Sequence, residues 1–228
     1  LCDEFGEIVV LGERDCSMQL NKQKVIEETP SPVISGETRE KMFDAAKRAA
    51  KAAGYTNAGT VEFLLDRDGN FYFMEMNTRL QVEHAVTEEV SGVDIVKWQI
   101  RISSKMPLSF TDGDIKLCGH SIECRINAHS AGNVEFFHAP SATRVHFDTA
   151  LIQGERVSSL YDSMLGKLVV YARDRDEAIR KMEASLAEVV IQGIDTNIDD
   201  LHTILLGDAF VTGEYDTSYL EKNFSKNK

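Results

Sequence analysis

Apolar and polar positions alternate most clearly between residues 58 and 77. GTVEFLL and FYFMEMN are rich in β-branched and aromatic residues, and DRDGN between them supplies an Asp-Gly turn, so a β-hairpin is predicted. Strand parity puts Thr60, Glu62 and Leu64 on one face, and Phe71, Phe73, Glu75 and Asn77 on one face. Further strands are expected at EIVVLG (7–12), GHSIECRINA (119–128) and MLGKLVVYA (164–172). Residues 13–34 read as a loop punctuated by TPSPVIS. Helical spacing follows Ser35, with Met42, Ala45, Ala46, Ala49 and Ala53 on one face and Gly54 as the stop. VDIVKWQIRIS (93–103) is a second helix. Asp174 with Glu177 resembles a capping box opening a third, striped by Ile179, Met182, Leu186 and Val189 and ended by Gly193. Thr196 is placed to cap a further helix running to Leu206, stopped by Gly207. The mixture is α+β, with a boundary expected in the polar stretch 105–118.

Charge narrows the function. Lys and Arg total 25 against 37 Asp and Glu, so the net charge is −12, which argues against nucleic acid and anionic membrane surfaces as partners. No apolar run reaches the length of a membrane span. The opening LCDEFGEIVVL has no basic segment followed by an apolar one, so it is read as mid-protein sequence and not a signal peptide. Cys2, Cys16, Cys118 and Cys124 form no C-x-x-C pair, which fits reduced structural thiols in a cytoplasmic protein.

The hairpin carries the chemistry. Glu62 near the start of one strand and Glu75 near the end of the other come opposite each other, with Asn77 beside them. Two carboxylates held together repel unless a cation lies between them, and oxygen-only ligation suits Mg²⁺. Unrelated surface acids are the alternative reading of these residues alone. The run Glu75-Met76-Asn77-Thr78-Arg79-Leu80-Gln81-Val82-Glu83-His84 then adds a guanidinium fork, an amide and a third carboxylate, more polar chemistry than packing requires.

That run, EMNTRLQVEH, resembles the signature of biotin carboxylase, the ATP-grasp component of biotin-dependent carboxylases. ERDCSMQ, QKVIEE, AGTVEFL, GHSIECRINA, YDSMLGKL and YLEK extend the resemblance over nearly the whole chain. It implies the second half of an ATP-grasp domain at 1–109, followed by the family's C-terminal domain at 110–228. The Gly-rich lid and the phosphate-binding lysines would lie in a first half, so this chain alone is expected to be inactive. The implied activity is ATP-dependent carboxylation of biotin by bicarbonate through carboxyphosphate. Glu62, Glu75 and Asn77 match the ligands of Mg²⁺ (or Mn²⁺). Lys24, Arg79, Gln81, the Val82 N–H and Glu83 match the bicarbonate site, with Glu83 as the base. Arg125 matches the arginine that steadies the biotin enolate. Gln19, Lys22, Leu64 and Met74 match contacts to ATP. Without the resemblance, Arg125 would read as an ion-pair arginine, Lys24 as a surface lysine and His84 as a structural histidine.

Two departures stand out. Lys22 occupies the place where the family often has a ribose-contacting His, and HSAGNVEFFHAP after RINA is shorter than usual and lacks the F-x-P-S-x-G run. The resemblance further implies a biotin carboxyl carrier protein or domain and a carboxyltransferase as partners, and a homodimer. The acceptor is expected to be acetyl-CoA; pyruvate, propionyl-CoA and urea carboxylases, or a non-catalytic assembly fragment, are the alternatives. The carbamoyl-phosphate synthetase large chain shares the Glu, then Glu-x-Asn hairpin but not the Q-V-E-H, RINA and YDSM stretches.

Overall fold

The computed structural model describes residues 1–224; the last four residues of NFSKNK, and so the end of the expected 110–228 domain, lie outside them. In chain order the first half forms β1 (Asp15–Leu20), β2 (Gln23–Thr29), α1 (Gly36–Ala52), β3 (Thr60–Leu65), β4 (Phe71–Asn77), α2 (His84–Ser91) and α3 (Ile95–Ser103). After a 3-10 turn at Asp112–Asp114 come β5 (His120–Asn127), β6 (Gly132–Asn133), β7 (Phe136–His138), β8 (Val145–Thr149), β9 (Arg156–Val157) and β10 (Met164–Ala172). The chain continues through α4 (Arg175–Glu188), β11 (Val190–Gln192), α5 (Ile198–Leu205), α6 (Asp208–Thr212) and α7 (Tyr219–Phe224). No helix among the described residues is long and apolar enough to cross a membrane.

The described residues divide into two compact units, residues 1–13 with 31–118, and residues 14–30 with 119–224. Neither unit is a single continuous stretch of chain. Residues 15–29, read from the sequence as loop, are a hairpin whose second strand pairs with β5 and so joins the second unit. Its turn is Asn21-Lys22, both at positive φ (52° and 64°), the conformation of a two-residue hairpin turn. The signal was masked because Gln23, Lys24, Glu27 and Glu28 break the apolar pattern of β2.

In the first unit, Ser35 Oγ accepts the Thr38 N–H and caps α1, and Asp94 does the same for α3 through the Lys97 N–H. Most of the alanine stripe on α1 is only half-buried; Ala50 is the buried residue. EIVVLG is not a ladder strand. Ile8 bridges only Cys2, and the Val10 N–H bonds Asp112 Oδ1, so the backbone of this stretch is satisfied locally. Val9 and Leu11 nevertheless bury against Ala58 and Ile95.

The second unit is built on the sheet β1-β2-β5-β10-β8, antiparallel throughout. Alternation along β5 and β10 turns Ile122, Cys124, Ile126, Leu168 and Val170 toward α4, whose Ile179, Met182 and Leu186 fill the core. The helix is capped by Asp174 through the Glu177 N–H, but Glu177 reaches back to the Arg173 N–H, so the reciprocal bond of a capping box is absent. The helix expected after a Thr196 cap is α5, and it starts at Ile198 with Asn197, not Thr196, at the cap position. All four cysteines are free thiols; burial, then the charges of Glu27 and Glu123, push Cys124 far up and leave it inert.

Glu28, on the core face of β2, receives His120 Nε2 (2.7 Å), Arg175 Nε (2.7 Å) and Nη2 (2.9 Å), and the Tyr215 hydroxyl (2.8 Å). Burial alone would raise its pKa, but the hydrogen bonds from His120 and Arg175, and then their charges, outweigh it and hold the carboxyl below its ordinary value. A depressed carboxyl stabilises the fold in full above the unfolded value of about 4.3 and loses that contribution as pH falls through the lower folded value. Glu28→Gln should therefore cost about 3–5 kcal/mol at pH 7. Denaturant titrations should show the wild type losing stability below about pH 4.3, with a flatter acid limb in Glu28→Gln; parallel limbs would remove Glu28 from this role.

Candidate active site

The β3–β4 hairpin turns where Asp66 Oδ1 accepts the N–H groups of Asp68 and Asn70 and Gly69 takes φ +83°. Glu62 lies directly opposite Glu75, and Thr60 opposite Asn77. The register shifts between Glu62 and Phe63, because Met74 is an extra residue on β4. This corrects simple parity. Phe71 and Phe73 pair with Leu65 and Phe63 on the opposite face from Glu75 and Asn77, and Phe63 packs edge-on against both rings, at 5.3 and 6.4 Å.

The bulge leaves the polar group together. Asn77 Nδ2 donates to Glu62 Oε1 (3.0 Å) and to Glu75 Oε1 (2.9 Å), and Gln81 Nε2 donates to Glu62 Oε1 (2.7 Å). An amide edge thus lies between two carboxylates that would otherwise repel. Rotating the Asn77 amide by half a turn would present its oxygen beside theirs. No cluster of three or more His, Cys, Asp or Glu side chains set to hold a metal occurs among the described residues. The donor set here is two carboxylates and a carboxamide, all hard oxygens. It fits a cation such as Mg²⁺ that takes one or two carboxylates and fills its remaining positions with water and phosphate.

Beyond Asn77 the chain leaves the strand, and parity no longer applies. Gln81 is buried and returns to Glu62, whereas exposed Arg79 donates to the Leu80 carbonyl (3.3 Å) instead of joining Asn77 and Gln81. Glu83, 2% exposed, is the residue preceding α2, and its side chain does not cap that helix. His84 Nδ1 bonds the Gln81 carbonyl at 2.8 Å, a structural part. Leu64 and Met74 are both exposed.

The remaining expected residues belong to the second unit. Gln19 and Lys24 are cross-strand partners in the β1–β2 hairpin, Gln19 Nε2 donates to the Cys16 carbonyl (2.7 Å), and Lys22 is the exposed second residue of the turn. Arg125, half-buried on β5, donates through Nε to Glu27 Oε1 at 2.6 Å. Glu27 was not singled out from the sequence; a buried acid inside QKVIEE was its only trace there.

Comparison with known proteins matches residues 1–111 to the carbamoyl-phosphate synthase L chain ATP-binding domain and residues 123–222 to the biotin carboxylase C-terminal domain. Biotin carboxylase 1 of Bacillus subtilis is 47% identical over 97% of this chain and 51% of its own length. A solved biotin carboxylase–β,γ-ATP complex from Campylobacter jejuni superposes with a TM-score of 0.95 at 44% identity, over 97% of this chain and 51% of that one. The biotin carboxylase domain dimer of Hydrogenobacter thermophilus 2-oxoglutarate carboxylase, with MgADP, ADP and bicarbonate, gives 0.95 at 42% identity over the same shares. The chain spans about half the length of the curated relatives it matches. The second match excludes a carbamoyl-phosphate synthetase reading of the hairpin, and the chain belongs to the biotin carboxylase family, corresponding to the C-terminal half of its relatives: the latter part of the ATP-grasp domain and the C-terminal domain.

Proposed function

We propose that the protein carrying this chain carboxylates biotin at the expense of ATP, with bicarbonate as the carbon source. The observation that carries this reading is the gathering of Glu62, Glu75, Asn77 and Gln81 at one end of the β3–β4 hairpin. Glu62, Glu75 and Asn77 would hold Mg²⁺ or Mn²⁺, which when bound neutralises charge on the ATP phosphates. Arg79, Gln81, the Val82 N–H and Lys24 orient bicarbonate. Glu83 removes its proton, so that the oxygen attacks the γ-phosphorus, the bond to the β,γ-bridging oxygen breaks, ADP leaves and carboxyphosphate forms. Gln19 contacts ATP, Lys22 its ribose, and Leu64 and Met74 its adenine. Arg125 balances charge developing on the ureido oxygen of biotin as its nitrogen gives up its proton to the departing phosphate and takes the carboxyl group of carboxyphosphate.

In this reading residues 1–109 are ATP-grasp and 110–228 the C-terminal domain. The partners are a biotin carboxyl carrier protein or domain and a carboxyltransferase, the protein is cytoplasmic and homodimeric, and the acceptor is acetyl-CoA. The dimer draws support from the dimeric Hydrogenobacter thermophilus domain. The test is ATP cleavage with and without bicarbonate, and carboxybiotin formation from free biotin. The full-length protein should carry out both. The 228-residue chain alone should form no carboxybiotin, because a site made of this half holds ATP only through its adenine, its ribose and the metal. Robust carboxylation by the 228-residue chain would overturn the division of labour, and bicarbonate-independent ATP cleavage by the full-length protein would overturn the reaction.

A further inference from the structure

One face of the β2-β5-β10-β8 sheet packs under α4; the other carries charge. On it the ladder places Glu27 directly opposite Glu123, Arg125 opposite Lys167, and Lys167 opposite Asp148. Glu27 and Glu123 are both 0% exposed. Two carboxylates paired across neighbouring strands and removed from water repel strongly, and each needs its own cation. The next rung supplies them. Arg125 Nε and Nη2 both reach Glu27 Oε1, at 2.6 and 2.5 Å, and Lys167 Nζ lies 3.6 Å from Glu123 Oε2 and 3.7 Å from Asp148 Oδ2. Lys167 thus lies near Glu123 and Arg125 bonds Glu27, and the contact through one edge of the guanidinium fixes its plane.

Replacing a buried ion pair by hydrophobic groups of similar volume is often neutral or stabilising, so buried ion pairs are a poor device for stability alone. Orientation is what this frame provides. We propose that Glu27 is the positioning residue for Arg125 in biotin carboxylation, with Lys167 set beside Glu123 on the neighbouring rung. The inference rests on the role given to Arg125 above.

The test uses the full-length protein and reads carboxybiotin formed per ATP cleaved, with kcat and the biotin KM. Glu27→Gln keeps the size and removes the charge. It should lower that ratio by about 10–100-fold, through kcat rather than KM, as misplacement of a catalytic group by about 1 Å does. Arg125→Ser placed on top should bring the loss only to that of Arg125→Ser alone, well short of the product of the two single effects, since Glu27 acts through the arginine. A purely structural glutamate would lower both activities in step with the folded fraction, and its effect would add to that of Arg125→Ser. Should Glu27→Gln fail to fold, Glu27→Asp, which keeps the charge and shortens the reach by one methylene, carries the same test with a smaller fall in the ratio. An unchanged ratio in the folded variants, or additivity, overturns the inference. If instead Arg125→Ser alone leaves carboxylation intact, it is the role of Arg125 that fails.

Discussion

Glu75→Gln in the full-length protein is expected to reduce ATP turnover by about 10²–10³-fold, the range for losing one electrostatic stabiliser of a transition state. Glu75 is exposed and its Oε1 accepts from Asn77, a bond that a glutamine oxygen can keep, so the fold should survive within about 0.5 kcal/mol. What is lost is one of two negative charges opposite each other on the hairpin. The phosphates would then face a weaker cation site, and raising Mg²⁺ should restore part of the rate. Steady-state turnover across a Mg²⁺ series, with a thermal melt as control, checks this. Near-normal turnover at ordinary Mg²⁺ would remove Glu75 from the site.

Arg125→Ser and Arg79→Ser are expected to fail differently. Arg125→Ser should lose carboxybiotin formation by about 10²–10³-fold while losing far less bicarbonate-dependent ATP cleavage, because its charge serves the biotin step. Arg79→Ser should depress carboxylation and also raise the bicarbonate concentration needed for half-maximal ATP cleavage. Removing Arg125 takes a cation from fully buried Glu27, so both rates are read per folded molecule. Arg79 is exposed and bonds a neighbouring carbonyl, so its loss should leave the melt unchanged. Equal loss of both activities in both variants would refute the separation of roles.

The strands and helices legible in the sequence are those with a strong local period. MLGKLVVYA is β10 over the expected residues, and the α4 stripe of Ile179, Met182 and Leu186 is buried as its spacing required. EIVVLG failed because apolar content alone does not supply a strand partner; its hydrogen bonds go to Leu1–Asp3 and Asp112 instead. The β1–β2 hairpin failed for the opposite reason. Its charged residues hide a strand that becomes stable only when paired with β5.

At the site, sequence alone determined that Glu62, Glu75 and Asn77 meet, since a short hairpin with an Asp-Gly turn leaves few registers, and residues two apart on a strand share a face. It equally determined the family, because EMNTRLQVEH concentrates its chemistry in ten consecutive residues. The tertiary structure decided the rest. The Met74 bulge, the return of Gln81 to Glu62 and the bond of Arg125 to Glu27, 98 residues away in the chain, depend on which backbone lies alongside which. Strand parity describes one strand at a time. The partner of a buried charge is set by the ladder between strands, where water is excluded and each charge must find a counterion close by.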